Sequence, residues 1–197
     1  MLLDVPRSGD GNAIALGAAM VAWIGLIAVS AFSGQGKGGD GGKRDSRSLA
    51  GILIQGFGVG AAWFGRFDIV VGSTPALLLA ALIPSAIALG SLALFAWSVQ
   101  TMGKNWAVVA QTRGDHQLVQ TGPFALVRNP IYVAIFGMMV ATALAIGHAY
   151  NLIVAVPLYV FGTLMRVGLE EQLLGATFGD AYVAYRQRVK RFIPGIW

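Results

Sequence analysis

The chain contains no cysteine, and only 2 of its 197 residues are histidine. The absence of cysteine excludes disulfide bonds, thiolate metal sites and cysteine nucleophiles, and it leaves the redox state of the compartment unreadable. The histidines, His116 and His148, are far apart in the sequence. We therefore expect no metal site, because the usual nitrogen and sulfur ligands are almost absent.

Charged residues are also scarce. Asp, Glu, Lys and Arg make up 12% of the chain, whereas soluble domains carry roughly 25%. Hydrophobic residues reach 56%, so the composition excludes an ordinary soluble domain and indicates an integral membrane protein. We attribute the formal net charge of +5 to membrane topology and expect no nucleic-acid partner.

Long apolar runs predict an all-α membrane fold of about five transmembrane helices. One membrane domain covers residues 1–197, with three N-terminal helices within 13–99 and a signature region at 100–197. That region contains a polar stretch, a tight helical hairpin and a tail, 166–197, of one or two interfacial helices. His148 lies in the turn of the hairpin and is expected to be structural. The predicted spans are 13–32, 49–64, 75–99, 131–147 and 150–167.

The positions of the cations predict the orientation in the membrane. With five spans, all of the 14 Lys and Arg residues except Arg7 and Arg66 lie on one side, in the first loop, the third loop and the tail. Because cytoplasmic segments are enriched in Lys and Arg, the N-terminus is expected outside and the C-terminus in the cytoplasm. The inner or plasma membrane of a prokaryote is the expected location.

A glycine run at residues 56–60 looks like a nucleotide-binding loop but lacks its context. Such loops join a strand to a helix, whereas this run lies inside an apolar span. Gly56 and Gly60 are four residues apart and share a helix face, so we expect close helix packing there, within or between chains.

Two proline-containing signals precede the fourth span. Gly122-Pro123 and Asn129-Pro130 are typical of turns or helix starts. The segment should therefore fold at the membrane surface, with Pro130 as the first residue of the span.

The predicted hairpin brings Arg128, Tyr132, Glu170 and Glu171 to one cytoplasmic corner. Two acids at the C-terminus of a helix are unfavourable against its dipole, so a cationic partner from the protein or a ligand is expected. On charge position alone an alternative stays open, in which Arg128 and Arg166 reach lipid head groups and the glutamates are simply solvated.

These residues resemble the C-terminal signature of the isoprenylcysteine carboxyl methyltransferase family and the related phospholipid methyltransferases. The resemblance extends over roughly residues 100–197, whereas the first half shows only generic spans. Many members have tyrosine where Phe124 stands and histidine where Asn129 stands. The positions that carry the resemblance are Leu118, Val119, Gly122, Pro123, Phe124, Arg128, Asn129, Pro130, Tyr132, Glu170, Glu171, Leu174, Phe178, Gly179, Tyr182, Tyr185, Arg188, Arg191 and Pro194.

The resemblance implies methyl transfer from S-adenosylmethionine to a lipid-borne acceptor, either an isoprenylcysteine-type carboxylate or a phospholipid head group. The implied partners are thus a membrane lipid or a lipidated substrate. The resemblance also implies substrate binding by Tyr182, Tyr185 and Arg188. The spacing of the two tyrosines on one helix face also fits packing. The implied catalytic residues are Arg128, Asn129, Glu171 and Arg191. The implied cofactor-binding residues are His116, Gln117, Leu118, Val119, Gly122, Pro123, Phe124, Arg128, Asn129, Tyr132, Glu170 and Glu171.

Asn129 affects the choice of acceptor. Asparagine cannot take up a proton near neutral pH as histidine can. If the family's histidine acts as a base, that role is absent here. The substitution slightly favours an acceptor that is already ionised, such as a carboxylate or a phosphate-like group.

Two other functions stay open at this stage. A non-catalytic membrane protein for binding or transport could retain the fold, and affinity for S-adenosylmethionine would separate it from an enzyme. A membrane reductase of the distantly similar sterol type ranks last, because it needs a nicotinamide cofactor and no 2′-phosphate site is visible.

Overall fold

The computed structural model describes residues 10–33, 46–103 and 117–196. Within these ranges the chain forms six α-helices, a pair of short strands and two 3-10 turns. The strands are β1 (Asp10–Asn12) and β2 (Asp68–Val70), and the 3-10 turns cover Gly122–Ala125 and Ala149–Asn151. The helices are α1 (Ala13–Phe32), α2 (Ser46–Ala62), α3 (Pro75–Met102), α4 (Pro130–Ala145), α5 (Leu152–Phe178) and α6 (Asp180–Arg188).

Local sequence signals determine where the helices begin. Asn12 Oδ1 accepts hydrogen bonds from the backbone nitrogens of Ile14 (3.0 Å) and Ala15 (3.2 Å), which satisfies two amides at the start of α1. Thr74 caps α3 in the same way. Proline opens both α3 and α4, where its missing amide hydrogen removes no helical bond. The predicted start of a helix at Pro130 is confirmed.

In the part of the chain that the structure describes, three helical segments are long and apolar enough to cross a membrane: α1, α3 and Ala149–Phe178, which contains α5. The apolar parts of α2 and α4 are shorter, at Ser48–Ala62 and Pro130–Ala145. These lengths and compositions confirm the predicted all-α membrane class. The number of five spans stays a prediction.

Consecutive long helices run in opposite directions, so the chain alternates between two ends of the bundle. Parallel helices α1 and α3 are adjacent, and the Asn12 side-chain amide donates to Leu77 O at 2.8 Å. Antiparallel α4 packs against them, with Met138 and Phe95 in one buried cluster. We call the end with β1 and β2 the strand end. We call the end with the C-termini of α1, α3 and α5 the ion-pair end.

Glycine allows α2 and α5 to approach closely. A Cβ on Gly58 would lie 2.7 Å from the Tyr159 backbone nitrogen, and one on Gly162 would lie 2.8 Å from the backbone of α2. Gly56 and Gly60, for which close packing within or between chains was predicted, have no such contact in the described ranges, because a Cβ on either would meet nothing within 4 Å there. A contact of these two residues with a second chain stays a prediction.

The strand end contains a small element that the sequence did not predict. Strands β1 and β2 pair in parallel, with Asp10 opposite Asp68. Beside them, His148 is 1% exposed. Its Nδ1 lies 3.1 Å from Phe64 O and its Nε2 lies 3.2 Å from Arg66 O. His148 therefore joins the α4–α5 turn to the segment after α2, in agreement with the structural role expected for it.

Helix α5 is longer than predicted. The sequence placed its end near residue 167, with an interfacial tail from Arg166, whereas the helix continues to Phe178. Glu170 and Glu171 therefore lie inside α5, and the predicted conflict with a helix C-terminus is wrong. The chain turns at Gly179, where φ is +50°, and α6 then forms part of the tail.

Candidate active site

Backbone hydrogen bonds tie the loop before α4 to the tail after α6. Arg128 N donates to Lys190 O at 2.8 Å, and Asn129 N donates to Arg191 O at 3.1 Å. A parallel bridge between Val127 and Lys190 adjoins them. The Asn129 side chain adds a bond from Nδ2 to Arg191 O at 3.2 Å. These bonds hold the tail against the start of α4.

Glu171 is bound by two guanidinium groups. Its Oε1 accepts from Arg128 Nη2 at 2.8 Å and from Arg191 Nε at 3.1 Å, and its Oε2 accepts from Arg191 Nη2 at 2.5 Å. Arg128 Nη1 also donates to Val189 O at 2.6 Å and to Arg186 O at 3.1 Å. The side chains of Arg128 and Glu171 are each 9% exposed. The hydrogen bonds with Glu171 raise the pKa of Arg191 above its ordinary value.

Glu170 has different and fewer partners. Its Oε1 accepts from Tyr132 Oη at 2.5 Å and lies 3.5 Å from Arg166 Nη2. Arg166 Cζ also lies 5.4 Å from the centroid of the Tyr132 ring, within cation–π range. The Glu170 side chain is 26% exposed, and the described hydrogen bonds use only its Oε1. Glu170 can therefore accept a hydrogen bond from a ligand, whereas both oxygens of Glu171 are occupied by arginine.

An apolar cavity of about 300 Å³ lies between α4 and α5, next to the charged cluster. Tyr132 belongs to both features, because its hydroxyl contacts Glu170 while its side chain lines the cavity. Tyr159 lines the cavity as well, and its hydroxyl donates to Tyr132 O at 2.9 Å. Phe192 and Ile193 of the tail contribute to the wall, and the other lining residues are Val133, Phe136, Val160, Thr163 and Leu164.

The residues of α6 predicted to bind substrate serve mainly as packing and loop contacts. Tyr182 and Tyr185 are 2% and 3% exposed, and Tyr185 Oη donates to Phe124 O at 2.7 Å. Burial raises the pKa of Tyr182 to about 12 and also raises the pKa of Tyr185. Arg188 Nη2 donates to Gln120 Oε1 at 2.9 Å. The packing alternative for the tyrosines agrees with this arrangement, and substrate binding by the three residues stays a prediction.

The loop residues predicted to bind the cofactor lie before α4, at one side of the cluster. Gly122 has φ +58°, and a Cβ there would lie 2.8 Å from Thr101 Oγ1, so the 3-10 turn rests on the last turn of α3. His116 lies outside the described residues. Cofactor binding by the loop stays a prediction for Gly122, Phe124 and the remaining residues Gln117, Leu118, Val119 and Pro123.

Sequence reasoning missed Gln55 and Tyr159. Gln55 is a buried residue of α2, and its side chain contacts Thr163 and Arg166 of α5. It is the single polar residue between residues 49 and 62, and a lone amide in an apolar span is a signal that could have identified it. Tyr159 gave no such signal, because an aromatic residue in an apolar helix is ordinary core material.

The cluster is cationic overall. Three arginines, Arg128, Arg166 and Arg191, surround two glutamates. Such a site suits a ligand that carries an anionic group for the guanidiniums and an ammonium for Glu170. Within residues 10–33, 46–103 and 117–196, no group of three or more His, Asp or Glu side chains is placed to hold a metal ion.

The fold and the cluster define a class: an all-α membrane protein with an acid–arginine site at one end of its bundle. The profile of the phospholipid methyltransferase family matches residues 73–181, more than half of the chain. The chain belongs to the phospholipid methyltransferase family, which confirms the predicted resemblance. The match contains α3, α4 and α5 but leaves out α2 and the tail from residue 182.

Two curated relatives are similar to part of this chain. Protein-S-isoprenylcysteine O-methyltransferase of Schizosaccharomyces pombe is 37% identical over 89 residues, which are 44% of this chain and 37% of the relative. The protein of the same name from Tribolium castaneum is 30% identical over 105 residues, which are 50% of this chain and 36% of the relative. The chain thus spans little more than a third of the length of either relative. Both organisms are eukaryotes, so these matches do not support the predicted prokaryotic membrane.

Proposed function

We propose that this chain is a membrane methyltransferase that uses S-adenosylmethionine and methylates a lipid-borne acceptor. The observation that carries the proposal is the double position of Tyr132, between the charged cluster and the apolar cavity. A site of this kind suits a reaction between a charged donor and an acceptor with a hydrocarbon chain. Family membership supports the same class of reaction.

The side chains at the ion-pair end fit S-adenosylmethionine, which carries an ammonium, a sulfonium and a carboxylate. Glu170 would accept from the ammonium, since its Oε2 is not used by the described hydrogen bonds. Arg191, whose side chain is 32% exposed, is the most accessible guanidinium of the cluster for an anionic group. When bound, S-adenosylmethionine supplies an electrophilic methyl group: its carbon–sulfur bond breaks as the bond to the acceptor forms, and a neutral thioether leaves.

Position 129 favours an acceptor that is already ionised. The side-chain amide of Asn129 donates a hydrogen bond to Arg191 O and so holds the tail against the start of α4. This amide cannot take a proton from an acceptor. An acceptor carboxylate needs no base, so its methylation depends chiefly on in-line placement. We therefore favour an isoprenylcysteine-type carboxylate over the amine of a phospholipid head group.

We also propose that the ion-pair end faces the cytoplasm. The α1–α2 and α3–α4 connections and the tail all leave from this end. Together with Arg47 in the first turn of α2 and Arg166 in the C-terminal half of α5, they account for every Lys and Arg except Arg7 and Arg66. The positive-inside rule assigns such an end to the cytoplasm. The donor would enter from the cytosol, while the acceptor would reach the cavity sideways from the bilayer, between α4 and α5.

Calorimetric titration of S-adenosylmethionine into the detergent-purified protein tests the donor. We expect binding by the wild type and at least about tenfold weaker binding by Glu170→Gln, which keeps the shape of the side chain and removes its charge. Asp180→Asn is the matched control, because it removes a carboxylate at the start of α6, outside the cluster, and should leave the affinity unchanged. A folded wild-type protein that binds no S-adenosylmethionine would overturn the proposal and favour a non-catalytic membrane protein.

Transfer of a labelled methyl group tests the acceptor. A prenylated cysteine analogue offers a carboxylate, and vesicles of phosphatidylethanolamine offer an amine. We expect labelling of the former. Labelling of the phospholipid alone would reverse our choice of acceptor, and labelling of neither lipid would contradict a lipid-borne acceptor of these two types.

A further inference from the structure

Gln55 places an amide inside the apolar part of α2. The residue is 8% exposed. Burial of an amide costs free energy unless its polar atoms are hydrogen-bonded, and a leucine could fill similar space without that cost. Polar residues inside apolar spans commonly serve a function for this reason.

Both polar atoms of the Gln55 amide contact α5. Its Nε2 donates to Thr163 Oγ1 at 2.7 Å, and its Oε1 accepts from Arg166 Nη1 at 3.4 Å. Thr163 and Arg166 are three residues apart and therefore share one face of α5. The short bond to Thr163 orients the amide so that its oxygen faces the guanidinium.

Gly51, one turn before Gln55, leaves space for the stem of Arg166. A Cβ on Gly51 would lie 2.6 Å from Arg166 Cγ and 3.1 Å from Gly162 O. The Arg166 side chain therefore lies against α2 on its way to the site, and two residues of this helix shape its path.

Arg166 connects α2 to the residues proposed to bind the donor. Its Nη2 lies 3.5 Å from Glu170 Oε1, and its Cζ lies 5.4 Å from the centroid of the Tyr132 ring. The family match begins at residue 73 and so does not include α2. The contact with Gln55 consequently adds a part of the chain outside the family signature to the site.

We infer that Gln55 is a positioning residue of the donor site. Through Arg166 it holds Glu170 and Tyr132 in the arrangement that accepts the donor's ammonium. The inference rests on the proposed function. A Gln55 that served only to join α2 to α5 would affect thermal stability and leave ligand affinity unchanged, so the two roles are separable.

The test compares Gln55→Leu with Gln55→Glu by calorimetric titration of S-adenosylmethionine and by thermal unfolding. Leucine removes both hydrogen bonds at similar volume, and we expect the dissociation constant to rise about tenfold. Glutamate keeps an oxygen that accepts from Arg166. We therefore expect the dissociation constant of Gln55→Glu to lie within about twofold of the wild-type value. If the leucine variant does not fold, Gln55→Met, which keeps the length of the side chain, takes its place.

Thr142→Val is the matched control. It removes another interhelical hydrogen bond, a part-buried one that Thr142 Oγ1 accepts from Trp23 Nε1 at 3.0 Å, in the contact between α1 and α4. We expect it to lower the thermal midpoint as Gln55→Leu does and to leave the affinity for S-adenosylmethionine at the wild-type value.

A double-mutant cycle with Glu170→Gln shows whether Gln55 acts through Glu170. In that background Gln55→Leu should weaken binding by less than about twofold, because the group that it positions has already lost its charge. A full additional tenfold loss overturns the inference. Unchanged affinity in Gln55→Leu, with a lower thermal midpoint, overturns the inference and leaves the proposed function intact. No binding by the wild type overturns both.

Discussion

The two ends of the bundle are held together by different kinds of contact. At the strand end the partners are mainly backbone groups: β1 pairs with β2, and His148 lies between two carbonyl oxygens. Asn151 Nδ2 adds a bond to Phe64 O at 2.7 Å. At the ion-pair end, backbone bonds between the loop before α4 and the tail are joined by contacts between charged side chains, with Glu171 between Arg128 and Arg191.

This difference indicates that the two ends of the bundle have different roles. At the strand end, the bonds to main-chain carbonyls join segments that the fold already places side by side. These bonds therefore hold the strand end in a single arrangement. Three arginines and two glutamates place charged groups of both signs at the ion-pair end, where the anionic group and the ammonium of a ligand can pair with them. We therefore expect the strand end to act as the scaffold and a bound ligand to change contacts at the ion-pair end.

Breaking the ion pairs at Glu171 should have the largest effect. Glu171→Gln leaves the guanidinium of Arg128, which is 9% exposed, without its carboxylate. We expect a loss of about 3 kcal/mol in the free energy of unfolding, measured by denaturation in detergent. The neighbouring variant Glu170→Gln should lose only about 1 kcal/mol, because that carboxylate is more exposed. Equal losses would contradict the distinction between the two glutamates.

Breaking the strand end at His148 should reduce stability without affecting binding. His148→Ala removes a buried side chain and leaves the carbonyls of Phe64 and Arg66 without its ring. We expect a loss of about 2 kcal/mol and an unchanged dissociation constant for S-adenosylmethionine. A weaker affinity in this variant would show that the two ends are energetically coupled, which would contradict the separation of their roles.

Helix α2 runs between the ends, and its glycines allow a matched comparison. A methyl group on Gly58 would lie 2.7 Å from the backbone of α5, so Gly58→Ala should destabilise the protein by about 1.5 kcal/mol. A methyl group on Gly56 would contact nothing in the described structure. Gly56→Ala should therefore leave the free energy of unfolding unchanged or raise it by up to about 1 kcal/mol. Loss of a dimer in Gly56→Ala, seen by size-exclusion chromatography with light scattering, would instead indicate that this face contacts a second chain.

The smallest expected effect is a response of the ion-pair end to alkaline pH. Burial raises the pKa of Tyr182 to about 12, whereas the unfolded chain has the ordinary value of about 10. The resulting stabilisation is complete below about pH 10 and is lost as the pH rises through about 12. The free energy of unfolding should therefore fall less steeply over this interval in Tyr182→Phe than in the wild type. Equal slopes in the two proteins would contradict this expectation.

The sequence predicted well those features that depend on local signals. Apolar runs located the helices, and Pro130 marked the start of α4 because proline suits the first helical position. The convergence of Arg128, Tyr132 and the two glutamates followed from the hairpin alone, because its two helices had to bring their ends together.

The failures concern contacts between distant segments. The end of α5 was misplaced because Arg166 and Glu170 look like a polar boundary, whereas partners inside the bundle accommodate their charges. The face of α2 that meets α5 was not identified, because the spacing of four residues drew attention to Gly56 and Gly60, while this face includes Gly51 and Gly58, seven residues apart. Seven residues are close to two full turns, so both spacings satisfy helical geometry and only the partner helix decides between them.

The tie between the α4 loop and the tail has a consequence for biosynthesis. Arg191 follows Glu171 by 20 residues, and a chain is synthesised from its N-terminus, so Glu171 and α5 are made before the second guanidinium that neutralises the carboxylate. The helices can thus form while Arg191, Phe192 and Ile193 are still missing. The charged cluster and the wall of the cavity are therefore completed only when the tail packs against the start of α4.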